Sequence, residues 1–263
     1  MKKLAAILMT ILLCLSLAAC GSKDKSPAKE QPAPAAEEET EMDDSADSDL
    51  EEDTEEDDSE APAEFEIPVQ TDFAPVEGIS DKYVDFENRS FAYNGKVFRL
   101  GESTLKDLID GGIPFDEDDL NNKDNNVNSN YETTPYTVDI NYYTNMSFNF
   151  INITDAPQKE VDCLLSGVSY SYTFLPQPDY EADMNADITE CILDAGEKVC
   201  LSFPATLTKE QLLESNSEGA EVDEYNRVEY SIDSEVYMGN SGYDFEFDEK
   251  TGLLKRVYIS WLP

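Results

Sequence analysis

Three sets of residues in this sequence could carry chemistry: five cysteines, an alternating Asp/Asn run and an abundance of carboxylates. Cys14 and Cys20 lie near the N-terminus, and Cys163, Cys191 and Cys200 lie far downstream. Three downstream thiols is an odd number, so at least one stays free or pairs between chains. They have no CxxC spacing, which argues against a thiolate metal site. The run Asp124-x-Asn126-x-Asn128-x-Asn130 places oxygen ligands at alternate positions, like the first half of a calcium loop. It then fails: Ser129 stands at the sixth position, where a glycine is needed, and Pro135 at the twelfth, where a glutamate is needed. A solvated surface loop with no metal is therefore expected. Histidine is absent altogether, which removes Ser-His-Asp and Cys-His catalysis and every His-ligated metal site. The 58 Asp and Glu residues leave carboxylate-dependent glycoside hydrolysis open, but no pair stands out from that background. No P-loop, dinucleotide turn or nucleophile elbow occurs, so no catalytic residue is nominated and no cofactor is expected.

The N-terminal stretch has a chemistry of its own. Lys2 and Lys3 precede an apolar run from Leu4 to Leu17, and Leu17-Ala18-Ala19-Cys20 closes it. This is the layout of a secretory signal peptide. With cysteine after small residues it resembles the lipobox of bacterial lipoproteins. That resemblance implies cleavage between Ala19 and Cys20, a diacylglycerol on the Cys20 thiol, and a chain held on the outer face of the cell membrane. Residues 1–19 are then the signal peptide and 20–64 a tether. Between Glu37 and Glu60, 16 of 24 positions are Asp or Glu, too polar to offset chain entropy by burial. Fully extended, about 45 such residues reach roughly 150 Å. That length suits a domain that must clear wall polymers in a Gram-positive envelope. The net charge of −40 argues against nucleic acid as a partner.

Two stretches downstream look alike. Ser90–Tyr93 and Lys96–Arg99 flank Asn94-Gly95, the strongest two-residue hairpin signal. Cys191–Leu193 and Lys198–Cys200 flank Asp194-Ala195-Gly196-Glu197 and are read as a second hairpin. If Leu193 pairs with Lys198, Cys191 and Cys200 face each other and could form a disulfide; the alternative is two small apolar side chains. Each hairpin precedes a short helix opened by a capping box, at Thr104 and at Thr208. Strands follow over 136–143, 146–153 and 168–174, and again over 227–232, 243–247 and 254–261. The pairs Phe148/Phe245 and Val168/Val257 correspond.

The expected fold is α+β: two tandem repeats, each a short helix packed on a small antiparallel sheet in the order hairpin, helix, three strands. The first repeat spans 65–175 with an N-terminal extension, the Pro-marked linker 176–186 and the second repeat 187–263. Tyr142, Tyr143, Tyr170, Tyr172, Tyr258 and Trp261 are the candidate recognition surface, on the sheet face turned away from the helices. The architecture resembles the tandem helix-on-sheet repeats of β-lactamase-inhibitor-like and PepSY-like extracellular modules. The lipobox, acidic tether and following module resemble surface lipoproteins of gut Firmicutes. Those resemblances imply a non-enzymatic module that binds an extracellular protein or an envelope component. A carboxylate-dependent envelope glycan hydrolase is the alternative. A solute-binding lipoprotein is the second, disfavoured by the small number of helices.

Overall fold

The computed structural model describes residues 66–70 and 73–263. The signal segment, Ala19, Cys20 and the acidic tether lie outside those residues. The fold is mixed α+β with antiparallel sheets. Its elements, in order, are β1 (Ser90–Tyr93), β2 (Lys96–Arg99), α1 (Leu105–Asp110), α2 (Glu117–Leu120), β3 (Asn126–Val127), β4 (Tyr136–Asp139), β5 (Thr144–Ile151), β6 (Gln158–Lys159) and β7 (Leu164–Tyr172). Then come α3 (Ala182–Lys198), β8 (Val199–Cys200), α4 (Lys209–Ser215), β9 (Glu221–Val222), β10 (Arg227–Asp233), β11 (Asn240–Phe247) and β12 (Leu254–Ser260).

The main sheet has seven strands in the order β4-β5-β7-β12-β11-β10-β9, every neighbour antiparallel. Alternation decides which face is dry. Met146, Phe148 and Phe150 of β5, Val168 and Tyr170 of β7, Phe245 of β11 and Val257 of β12 are buried on the helix side. Against them pack Leu105 and Leu108 of α1, Ile188 and Ile192 of α3, and Leu212 of α4. The small sheet β2-β1-β8 adds Phe91, whose ring centroid lies 5.8 Å from that of Phe148. One core runs through all of these residues.

The first hairpin forms as its turn dictates: Asn94 (φ 47°) and Gly95 (φ 79°) both take the left-handed conformation. Both short helices carry complete capping boxes, Thr104 with Asp107 and Thr208 with Gln211. Each threonine also bridges to the start of a strand, Thr104 to Leu164 and Thr208 to Leu253. Thr104→Ala and Thr208→Ala should each cost about 1 kcal/mol, and urea denaturation should report nearly equal losses.

The second hairpin does not form. Its first arm lies inside α3, a 17-residue helix, and its second is the two-residue β8, which pairs with β1 (Ala92↔Cys200, Tyr93↔Val199). Ile188, Ile192 and Ala195 are buried at helical spacing. Gly196 makes no turn. A Cβ there would come within 2.8 Å of the Ala205 Cβ, so glycine lets the helix approach the 201–206 segment. Helix α3 also takes up the end of the expected linker 176–186, where Pro176 and Gln177 are already buried. Cys163, Cys191 and Cys200 are all free thiols, so the Cys191–Cys200 disulfide is absent along with the hairpin that was to hold it.

Candidate functional site

The face of the sheet turned away from the helices is polar, and the strand register arranges it in rows. One row reads Thr137, Ser147, Ser169, Tyr258, Asp244 and Glu229. The next, towards the Trp261 end, reads Asn149, Gly167, Ser260 and then Gly242 with Ser231. The β4-β5-β7 half of these rows is uncharged. The β12-β11-β10 half carries the charges and the aromatic ring.

Small residues in the second row make a valley beside taller neighbours. A groove of about 480 Å³ lies there, with Gly242 and Ser260 among its lining residues. Tyr258, Trp261, Glu229 and Arg227 line it from the sheet, and Glu132, Tyr237 and Met238 line it from two loops. Those loops meet where the Tyr237 hydroxyl donates to Asn130 Oδ1 at 2.8 Å. The Tyr258 hydroxyl lies over Gly167, where an added Cβ would come within 2.5 Å of it. The Trp261 ring likewise covers Gly101.

The groove's electrostatics are mixed. The Arg227 guanidinium clasps Asp244 with two hydrogen bonds, one of them Nε to Oδ1 at 3.2 Å. That hydrogen bond and the nearby negative charge hold Arg227 above its ordinary range. Ser166 Oγ donates to Glu132 at 2.7 Å. Burial pushes the Tyr258 phenol up, and the charge of Glu132 adds to it. Tyr258 thus stays a neutral donor at neutral pH, beside the acceptors Glu132 and Glu229. Such a set can bind hydroxyls, amides or ammonium groups.

Of the six candidate recognition aromatics, only Tyr258 and Trp261 come together here. Tyr170 and Tyr172 face the core instead, 1% and 4% exposed. Tyr172 donates to the Ala205 carbonyl at 2.8 Å. The pairing Ser169↔Tyr258 puts Tyr258 on the face opposite Tyr170. Tyr142 and Tyr143 sit in the β4–β5 turn, where Tyr142 is 84% exposed and its ring meets Tyr143 edge-on at 4.8 Å. The turn lies at the other end of the sheet from Trp261.

The residues of the Asp/Asn run do not converge on a common point. Asp124 pairs with Lys159 at 2.7 Å and with Lys123 at 3.6 Å. Asn126 belongs to β3, paired with Lys159 of β6. Asn130 takes the left-handed conformation and accepts from Tyr237. The buried Asn152 holds this loop, donating to the Val127 and Ala156 carbonyls at 2.9 and 2.8 Å. Among the described residues, no group of three or more His, Cys, Asp or Glu side chains could hold a metal ion.

Sequence reasoning missed Arg227, Glu229, Asp244, Glu132, Tyr237 and Met238. The one available signal was Gly242 inside an otherwise regular strand, a mark of close backbone approach. No protein-family model, curated protein or solved structure matches the chain.

Proposed function

We propose that the chain is a lipid-anchored, extracellular binding module that engages an envelope protein or other envelope component through the open face of its second half. The anchor is Cys20, and the acidic tether sets the working distance from the membrane. The binding surface is the groove bounded by Tyr258, Asp244, Glu229 and Trp261.

The proposal includes a duplication, and the register supports it. In the β7–β12 pair, Val168 faces Ile259 and Tyr170 faces Val257. Superposing Val168 on Val257 and Tyr170 on Ile259 maps this pairing onto itself, with Ser169↔Tyr258 at the centre. Phe148 pairs with Val168 as Phe245 pairs with Val257. Each half has a register shift one residue further on, at Asn149/Phe150 and at Glu246/Phe247. The capping boxes and bridges of Thr104 and Thr208 correspond as well.

The observation that carries the function is how the equivalent positions differ. Those facing the core stay buried and apolar or aromatic: Phe148 with Phe245, Phe150 with Phe247 and Leu165 with Leu254 are unchanged, while Met146 with Tyr243 and Tyr170 with Ile259 trade shape. On the open face they diverge, from Ser147 to Asp244, Ser169 to Tyr258 and Thr137 to Glu229. Folding constrains the inner face of both halves, so the added charge and aromatic surface of one half need another reason, and recognition supplies it.

The exchange of one half for the other is the test. In the full chain, Glu229→Thr, Asp244→Ser and Tyr258→Ser install the first half's residues. Retention of the chain by a washed, delipidated bacterial envelope fraction should fall at least tenfold, with the melting temperature nearly unchanged. Unaltered retention would sink the reading. Cys20→Ser should release the wild-type surface from the membrane fraction altogether. The glycan hydrolase reading has one favouring observation, that Glu132 and Glu229 line the same groove. Release of soluble wall fragments that Glu132→Gln or Glu229→Gln abolishes would establish it instead.

A further inference from the structure

The edge of the sheet beside the groove points to the kind of partner, and this step rests on the binding-module reading above. Strand β10 has seven residues, but β9 covers only Val228 and Glu229. Phe247 N–H donates to the Asn226 carbonyl on the inner side, and Asp223 N–H donates to the Arg227 carbonyl on the outer side, both at 3.1 Å. Alternation then turns the backbone groups of Ser231 and Asp233 outward. Among the described residues, nothing bonds to those outward N–H and C=O groups.

Soluble proteins guard such an edge with lysine, proline or a bulge. This edge has none of these: Ile232 of the strand is 43% exposed, and Val236 and Met238 of the loop that follows it are 70% and 107% exposed. Its charge is one-sided. Between Glu214 and Glu235 there are eight acids and a single basic residue, Arg227, already committed to Asp244. The field extends well beyond the edge, because residues 65–263 carry 39 acidic and 13 basic side chains.

We propose that Ser231–Asp233 accepts an extended, cationic segment of a partner protein as an added antiparallel or parallel strand. Main-chain hydrogen bonds to Ser231 and Asp233 give it register. Its lysines or arginines face Glu229 and Asp233 on the open face, and its apolar residues, on the alternate positions, cover Ile232 on the other. A second copy of this chain is the wrong occupant, because edge-to-edge pairing would set the same acids against each other. A glycan has no use for an open strand edge.

The probe is a labelled ten-residue peptide alternating lysine and valine, titrated into the full chain at low and moderate salt. Binding should weaken as salt rises, and the Ser231 and Asp233 amides should gain protection from hydrogen exchange. Ser231→Pro deletes an outward donor without touching the bonds to β11 and should weaken binding about tenfold. Should that variant fail to fold, the wild-type chain decides with a peptide N-methylated at alternate amides, which should not bind. Equal binding of the N-methylated peptide, or of one with glutamate in place of lysine, overturns the proposal. So does no measurable binding, or a dimer in sedimentation that Ser231→Pro dissociates. If the peptide fails while the groove exchange still abolishes envelope retention, only the strand addition falls. If neither has an effect, the binding-module reading falls with it.

Discussion

Replacing Phe245 with alanine should cost about 3–5 kcal/mol, the range for truncating a fully buried phenylalanine. The ring is completely buried. It stacks between Tyr243 and Phe247 at centroid distances of 6.0 and 6.2 Å, and Phe203 meets it edge-on at 5.3 Å. Four rigid rings cannot close a hole of that size without leaving their rotamers, Tyr230 being the fourth at 6.2 Å. Phe148→Ala should cost a similar amount, because Phe148 is also fully buried, between Phe91 and Phe115. Both substitutions should lower one and the same transition, since a single core joins the two halves. The measurement is urea unfolding followed by far-ultraviolet circular dichroism and by fluorescence of Trp261, the sole tryptophan. Two separate transitions, one of them untouched by Phe148→Ala, would contradict the shared core.

The second large effect is Gly242→Ala. An added Cβ would lie 1.8 Å from the Tyr230 carbonyl oxygen and 3.0 Å from the Ser231 Cα. Both are backbone atoms of the neighbouring strand, so relief requires β10 and β11 to part. A loss of about 3 kcal/mol follows, at the upper end of overpacking costs. Gly167→Ala provides the contrast. Its Cβ meets the far end of the Tyr258 side chain at 2.5 Å, which can swing aside. That variant should unfold within about 0.5 kcal/mol of wild type yet lose the groove's aromatic wall. Denaturation curves for the two variants, set beside envelope retention, separate a structural glycine from one that positions a ring.

Much of this fold was legible because local chemistry decided it. Asn94-Gly95 forced a hairpin, Thr104 and Thr208 opened helices, and alternation of Met146, Phe148 and Phe150 gave a half-buried strand. Helix α3 escaped for a physical reason. Its Cys191-Ile192-Leu193 stretch is a short apolar run that suits a strand as well as a helix. Gly196 imitated a turn, although its role is to admit Ala205. The stretch Val168-Ser169-Tyr170-Ser171-Tyr172 alternates cleanly, but alternation alone does not say which set faces the core. Val168 would have settled it, since tyrosines in phase with a buried valine are buried too. The groove was illegible because loops about a hundred residues apart build it, joined by the Asn130–Tyr237 hydrogen bond.

One small contact has a mechanical consequence. The Gln70 N–H donates to Thr206 Oγ1 and its side-chain oxygen accepts from the Ala205 N–H, both at 2.8 Å. A pull on the chain ahead of Gln70 therefore loads the segment between α3 and α4 before it reaches β1. Were a partner held as proposed, drag on it would stretch the protein between that clamp and the outer edge of its sheet. Two hydrogen bonds are far fewer than those that pair the strands behind them, so the clamp would yield first and spare the sheet.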